Sequence, residues 1–294
     1  MMSQEIETPT RGYLLCCIER TGSNLLADAL IQTGAAGRPY EYFSPVLQDT
    51  PWMRGILGDS TMLTGLPKIL RAAATANGVF GTKLHWVHLR HLAIALSDER
   101  GELPAVAPGA MLKVLEHLPK LMPTERFLQS LRERAVNRPK FPAVYRLFKQ
   151  WLPDLRVIWL TRNNMLARAI SHARALHSNI WQRPAAAAAA GNPSLAAPPP
   201  EFDLAQIHQL HVLGLFQEES WQLFFDELAI TPHHVVYENL VANYEHTVRD
   251  VLKFLGLDDA VKSIEPSTLL RQTDALSEEW EQRYRKLSAE AGLE

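Results

Sequence analysis

Five neighbouring residues, Arg20, Thr21, Gly22, Ser23 and Asn24, could together hold an anion. They follow an apolar run over 13–18 that reads as a buried strand. They lead into a stretch over 23–33 whose Leu25, Leu26, Ala29, Leu30 and Thr33 share one helical face, with Gly34 as its stop. A strand, a short turn and a helix direct unpartnered backbone N–H groups and the positive end of the helix dipole at one point. Arg20 adds a fixed positive charge, the Thr21, Ser23 and Asn24 side chains add hydrogen-bonding groups, and Gly22 allows close backbone approach. A Walker A loop is excluded, because no Lys-Ser/Thr pair follows the glycine. Taken alone, the turn is equally a capped helix with a solvated arginine.

Other residues carry chemistry further along. Glu41 in "GRPYEYF" lies between Tyr40, Tyr42 and Phe43, where partial desolvation is expected to raise its pKa and improve it as a base; the alternative is a solvated loop glutamate. Arg162 closes an apolar strand, and Ser171 follows nine residues later in a helix, roughly 12 Å along it if the helix starts after Arg162. Either is otherwise an ordinary surface arginine and helix serine. His85, His88 and His91 recur every three residues. On a helix they would spread over about 120°, too wide to converge on a metal, so no metal is expected.

The elements that must position these residues alternate. Strands are predicted around 13–18, 78–86, 155–163 and 233–241, the last as strand and loop, and helices over 60–77, 165–181 and 244–259. Val157–Leu160 run together, as in a parallel strand buried on both faces. The pattern predicts an α/β fold with a parallel sheet, in one domain over 1–294. Residues 1–11 read as a loose tail, 99–153 as a helical lid or cap, and 183–200 ("RPAAAAAAGNPSLAAPPP") as a low-complexity Ala/Pro loop. At 294 residues, 47% hydrophobic and 21% charged, with a net charge of −2, the chain has the composition of a soluble enzyme. Non-specific attraction to nucleic acid is not expected. No apolar run is long enough to span a membrane. The two cysteines, Cys16 and Cys17, are adjacent and point to opposite faces of a strand, so a reducing, cytoplasmic setting is expected.

Four blocks in the same order carry a resemblance. "YLLCCIERTGSNLLADALIQTGAAGRPYEYF" is similar to "YLVLASQRSGSTLL…ATG…GEPQEFF", and "GVFGTKLHW" to "GVWGGKLMW". "TRNNMLARAISHARALHSNIW" is similar to "HRPDVVSQAVSFWRA…VW", and "RQTDALSEEWEQRYRK" to "RQADQRSDEWVERYRR". The chain thus resembles sulfotransferases that use 3′-phosphoadenosine 5′-phosphosulfate (PAPS), more narrowly the bacterial trehalose 2-sulfotransferase family.

The resemblance implies a P-loop-like three-layer sandwich of the sulfotransferase type, a carbohydrate or glycolipid acceptor and a homodimer. It implies that Arg20–Asn24 hold the 5′-phosphosulfate, that Arg162 and Ser171 hold the 3′-phosphate, and that Arg271 binds a nucleotide phosphate. It places Glu41 as general base, Lys83 near donor or acceptor, and Trp86 as a sugar-facing wall unless it is a core residue; Arg38 and Tyr40 would border the acceptor. Arg38 replaces a glutamate of the family pattern, which favours an acidic or lipid-linked sugar over trehalose. Asn24 replaces a threonine and Glu19 a glutamine, and the Glu19 side chain is expected to point away from the anion. A P-loop-like kinase or a catalytically silent scaffold on the same fold are the alternatives.

Overall fold

The computed structural model describes residues 8–97, 110–134, 141–181, 201–269 and 274–294. Strands β1 (Arg11–Cys17), β2 (Val79–His85), β3 (Asp154–Thr161) and β4 (His233–Val236) form one parallel sheet in the order β2-β1-β3-β4. β1 pairs with β2 from Arg11–Val79 to Cys17–His85, and with β3 from Arg11–Asp154 to Cys16–Trp159. The chain therefore leaves β1 toward opposite sides of the sheet, which opens a crevice at its carboxyl edge.

The helices, in chain order, begin with α1 (Ser23–Gln32), α2 (Pro51–Leu57), α3 (Leu66–Ala73), α4 (Trp86–Ala95) and α5 (Ala110–Glu116). Next come α6 (Thr124–Arg134), α7 (Phe141–Trp151), α8 (Met165–Ser178) and α9 (Leu204–Glu227). Last are α10 (Tyr237–Ala242), α11 (Tyr244–Phe254) and α12 (Ala275–Glu290). Their starts follow from local chemistry. The side chains of Thr50, Asn164, Asp203 and Asp274 accept the backbone N–H of Met53, Ala167, Gln206 and Ser277, as N-caps do.

Both faces of the sheet are covered, which is why Tyr13–Cys17 of β1 is a continuous apolar run and β2 is buried along its whole length. Leu14 and Cys16 of β1 pack with Phe80, Leu84 and Val157 against α2, α3, α4, α7 and α9. Tyr13, Leu15 and Cys17 pack with Ile158 and Leu160 against α1 and α11. Trp221 of α9 is fully buried in the first layer. Its indole Nε1–H donates to the Cys17 carbonyl at 3.0 Å, and its ring stacks on Phe225 and meets Trp86 edge-on. α9 thereby fixes the end of β1, from which the anion turn departs.

Several sequence expectations change. The lid over 99–153 does not extend to its end: Phe141, Val144 and Phe148 of α7 lie in the main core, since apolar residues on one helical face pack onto the sheet. The helix expected over 60–77 is confined to α3, because Pro67 suits only a helix start. The loop after β4 is helix α10. β1 begins at Arg11, inside the expected tail. The Ala/Pro loop 183–200 lies outside the described residues. No helix among those described is long and apolar enough to cross a membrane.

Trp221→Ala should destabilise the fold by roughly 3–5 kcal/mol, through lost burial and a cavity. Trp221→Phe should cost about 1–3 kcal/mol, because the Cys17 carbonyl loses its partner. Urea unfolding checks both; a loss below about 1 kcal/mol for Trp221→Ala would remove Trp221 as the anchor of the β1 end.

Candidate active site

The carboxyl ends of all four strands deliver the candidate residues. β1 runs into the turn holding Arg20, β2 ends in Lys83 and His85, Arg162 follows β3, and Tyr237 follows β4. Arg20 adopts φ 69° and Gly22 φ 86°. A Cβ at Gly22 would strike the Tyr237 ring, so both handedness and space require glycine there. Gly22 caps α1 with no side-chain hydrogen bond, which leaves the first N–H groups of the helix to the crevice.

Arg20 is the centre of this half. Its Nε donates to Ser171 Oγ at 3.0 Å and its Nη1 to the Trp181 carbonyl at 2.7 Å. Arg162 Nη1 donates to the Arg20 carbonyl at 3.2 Å, and its guanidinium lies 4.7 Å from the centre of the Tyr237 ring. Arg168 on α8 is buried and donates to the Glu19 and Leu210 carbonyls. Burial, then the charge of Arg162 and more weakly those of Arg168 and Arg174, push the Arg20 guanidinium down to about 10, against Tyr237. Like charges gathered so closely favour a polyanionic ligand.

The other half surrounds Glu41. Gly37, at φ 70°, lets the loop after α1 lie on β2, where a Cβ would stand 2.6 Å from the Gly81 nitrogen. The Arg38 N–H donates to the Ala73 carbonyl, and the Tyr40 carbonyl accepts from Lys83 N–H at 3.0 Å and Thr82 Oγ1 at 3.1 Å. These bonds aim Glu41 at Lys83, whose Nζ is 2.8 Å from Glu41 Oε1 and also donates to Asn24 Oδ1 in the turn. Lys83 is only 4% exposed. His85 and His88 face the same carboxylate at 3.9 and 4.0 Å, and their rings stack 4.9 Å apart.

Three expectations about this half are corrected. Glu41 does not have a raised pKa. Burial does push it up, but Lys83 and then His85 and His88 outweigh burial and hold it at about 2. Trp86 is a core residue packed on Phe141 and Trp221, not a sugar-facing wall, since the strand–helix junction turns it inward. The histidine triplet does not lie on one helix. His85 ends β2, so His85 and His88 converge with Glu41 while His91 bonds the Val87 carbonyl. One ring nitrogen of each histidine and a Glu41 oxygen lie within 4.8 Å of one another, the metal-like grouping found among the described residues. The Lys83 ammonium already supplies the countercharge there, and His88 Nδ1 accepts the His85 backbone N–H at 3.4 Å.

In the turn, the Thr21 hydroxyl is buried and donates to the Ile18 carbonyl at 2.8 Å, so it braces the turn and does not face a ligand. The Glu19 side chain turns toward the end of β2, where its Oε1 lies 3.6 Å from His85 Nδ1. Burial raises the Glu19 carboxyl, but the His85 contact and the charges of His85 and His172 hold it well below the usual range. Ser23 is buried at the start of α1. Arg162 and Ser171, distant in sequence from the turn, both reach Arg20. Arg38 is exposed, with Nη1 on the Ala72 carbonyl, and Tyr40 is 46% exposed at the mouth, edge-on to Trp52. Arg271 lies outside the described residues.

Arg168, His172 and Tyr237 were missed by sequence reasoning. Arg168, Ser171 and His172 occur at i, i+3 and i+4, which puts them on one face of α8, and that spacing was the available signal. Tyr237 could be found only from the close approach at Gly22.

Lys83→Met should raise the Glu41 carboxyl from about 2 toward the ordinary value of about 4.3, because burial is then opposed only by His85 and His88. In the native protein the depressed Glu41 pKa adds stability above the ordinary carboxylate range, and that contribution is lost as pH falls toward 2. Carboxyl ¹³C titration by NMR checks the shift; a Glu41 that still titrates near 2 in the variant would remove Lys83 as its cause.

Comparison with known sequences follows the same outline. Residues 12–112 and 119–287 match the family described as Stf0 sulphotransferase. The trehalose 2-sulfotransferase of Mycobacterium tuberculosis (strain ATCC 35801 / TMC 107 / Erdman) is 27% identical over 96% of this chain and 97% of its own length. The trehalose 2-sulfotransferase of Mycolicibacterium smegmatis is 26% identical over the same shares. With strand ends, turn and arginine cluster in place and the family match covering most of its length, the chain belongs to the Stf0 sulphotransferase family.

Proposed function

We propose that this protein transfers a sulfuryl group from PAPS to a hydroxyl of a carbohydrate or glycolipid. The observation that carries the proposal is the convergence of Arg20, Ser171 and Arg162, from three separate segments, beside the Lys83–Glu41 pair. The nucleotide, when bound, supplies the sulfuryl group. Arg20 and the N-terminus of α1 would hold the 5′-phosphosulfate, and Arg162 and Ser171 the 3′-phosphate. An arginine cannot give up a proton near neutral pH, so Arg20 would stabilise charge without proton transfer. Lys83, which bridges Asn24 and Glu41, lies between the two halves and would stabilise the charge that develops as the S–O bond breaks.

Glu41 is proposed to accept the proton of the attacking hydroxyl. Its low pKa makes it a weak base, but it keeps the carboxylate ionised at every working pH. The acceptor class rests on the two trehalose 2-sulfotransferases, and exposed Arg38 and Tyr40 at the mouth suit a sugar that carries negative charge.

Incubation with ³⁵S-labelled PAPS and a panel of trehalose, acidic sugars and glycolipids tests the proposal. Label should pass to a carbohydrate hydroxyl, and Glu41→Gln should cut turnover by roughly 10²–10⁴-fold while nucleotide binding persists. No transfer to any glycan, with nucleotide binding intact, would point to a silent scaffold; full turnover in Glu41→Gln would remove Glu41 as the base.

A further inference from the structure

We infer that Arg168 is a positioning residue for the 5′ end of the nucleotide: seated in a notch of α9 at Gly214, it holds the Glu19 carbonyl and so fixes the backbone from which the Arg20 side chain projects. The inference rests on the proposed contact of Arg20 with the phosphosulfate. Arg168 itself is 1% exposed and acts from beneath the crevice.

α9 runs for 24 residues, and Gly214 lies near its middle. A glycine inside a helix is unfavourable relative to alanine, so its place there has a reason in packing. That reason is the Arg168 guanidinium. A Cβ at Gly214 would overlap Arg168 Nη2 and stand 2.6 Å from Cζ and 2.8 Å from Nε, so the planar group lies directly on the helix backbone. One turn before Gly214, the Leu210 carbonyl accepts from Nη2, and its second lone pair leaves it free to do so besides any bond within the helix. From this seat Nη1 donates to the Glu19 carbonyl at 3.1 Å. Trp221 bonds the same helix to the Cys17 carbonyl at the end of β1, so the turn is held on both sides by one rigid element.

The held carbonyl matters because of the residue that follows it. Arg20 has φ 69°, a left-handed conformation that a residue with a side chain keeps only where its surroundings hold it. The carbonyls on either side of it are the handles. Arg168 Nη1 takes that of Glu19, and Arg162 Nη1 takes that of Arg20 at 3.2 Å. α8 holds the side chain as well: Ser171, three residues after Arg168 and on the same face, accepts Arg20 Nε at 3.0 Å. Loss of the bond to Glu19 would let the peptide before Arg20 rotate and carry the guanidinium away from Ser171.

A buried guanidinium in such a seat needs countercharge. Burial pushes Arg168 down to about 10; the carboxylates of Glu19 and of Glu218, one turn past Gly214 on α9, oppose it, and Arg162 adds to it more weakly. The group therefore stays ionised near neutral pH. In the family motifs quoted above, glutamine stands at the positions of both Glu19 and Arg168, so the acid and the arginine occur here together.

Titration calorimetry of the full chain with 3′-phosphoadenosine 5′-phosphate and with adenosine 3′-phosphate tests the inference, on Gly214→Ala, Arg168→Met and Arg20→Met, singly and combined. Gly214→Ala and Arg168→Met should each weaken the bisphosphate by about tenfold or more, while adenosine 3′-phosphate changes by no more than about twofold. Added to Arg20→Met, neither should cost more than about twofold further, because both act through Arg20. Unchanged bisphosphate affinity in either single variant, equal losses for the two ligands, or full losses that persist on top of Arg20→Met overturn the inference. Native bisphosphate binding by Arg20→Met itself instead removes the reading on which the inference rests. Should Arg168→Met not fold, Arg168→Lys decides, since it keeps the charge without the planar fork. On that background Gly214→Ala should cost no more than about twofold in bisphosphate affinity, and a loss of about tenfold there overturns the inference.

Discussion

The site depends on one buried ammonium. Lys83, at the end of β2, is bonded at once to Asn24 in the first turn of α1 and to Glu41 in the loop that crosses β2. A buried ammonium without partners carries a large desolvation cost, and breaking such a pair costs roughly 3–5 kcal/mol. The two halves of the crevice are therefore joined by this ion pair in addition to the β1–β2 pairing and the α1 segment that connects them. The same strand reinforces the link through its backbone, because Lys83 N–H and Thr82 Oγ1 both hold the Tyr40 carbonyl next to Glu41. For in-line transfer between a bound donor and an acceptor hydroxyl, a fixed separation of these halves is the main geometric need.

The opposite wall is built from cations that the fold keeps apart from their own repulsion. Arg174 is held by Asp274 through two guanidinium contacts, and Arg168 by the Glu19 and Leu210 carbonyls. Arg20 is tied to Ser171 and Trp181. The guanidinium positions are thus set before a ligand arrives, which reduces the ordering a polyanion must bring about. Glu19 joins the two walls: its carbonyl accepts from Arg168 and its carboxylate faces His85.

Much of the sheet is legible in the sequence. The apolar runs of β1 and β3 and the facial pattern of α1 and α11 state their elements within a few residues, because two-sided burial and helical periodicity leave local marks. α9 is less legible, since it is buried on more than one side and shows no single stripe. In the site, Arg20, Glu41 and Lys83 are visible as chemistry-bearing residues, but their states are not. The pKa of Glu41 follows from Lys83, 42 positions away, and the orientation of Glu19 follows from strand register. Trp86 is core because Phe141 and Trp221 meet it from distant segments, and no periodicity near Trp86 records that.

The central claim is that the arginine-lined crevice at the end of β1 is built for a nucleotide phosphorylated at both the 3′ and 5′ positions. Titration calorimetry of the native protein with 3′-phosphoadenosine 5′-phosphate, adenosine 5′-phosphate and Mg-ATP addresses it directly. The account predicts saturable binding of the bisphosphate, with loss of the 3′-phosphate weakening it by roughly 10-fold or more, the worth of a charge-assisted contact of about 1.5–3 kcal/mol. Mg-ATP should bind no better than adenosine 5′-phosphate. Equal affinity for the bisphosphate and adenosine 5′-phosphate, or tighter binding of Mg-ATP, would contradict it.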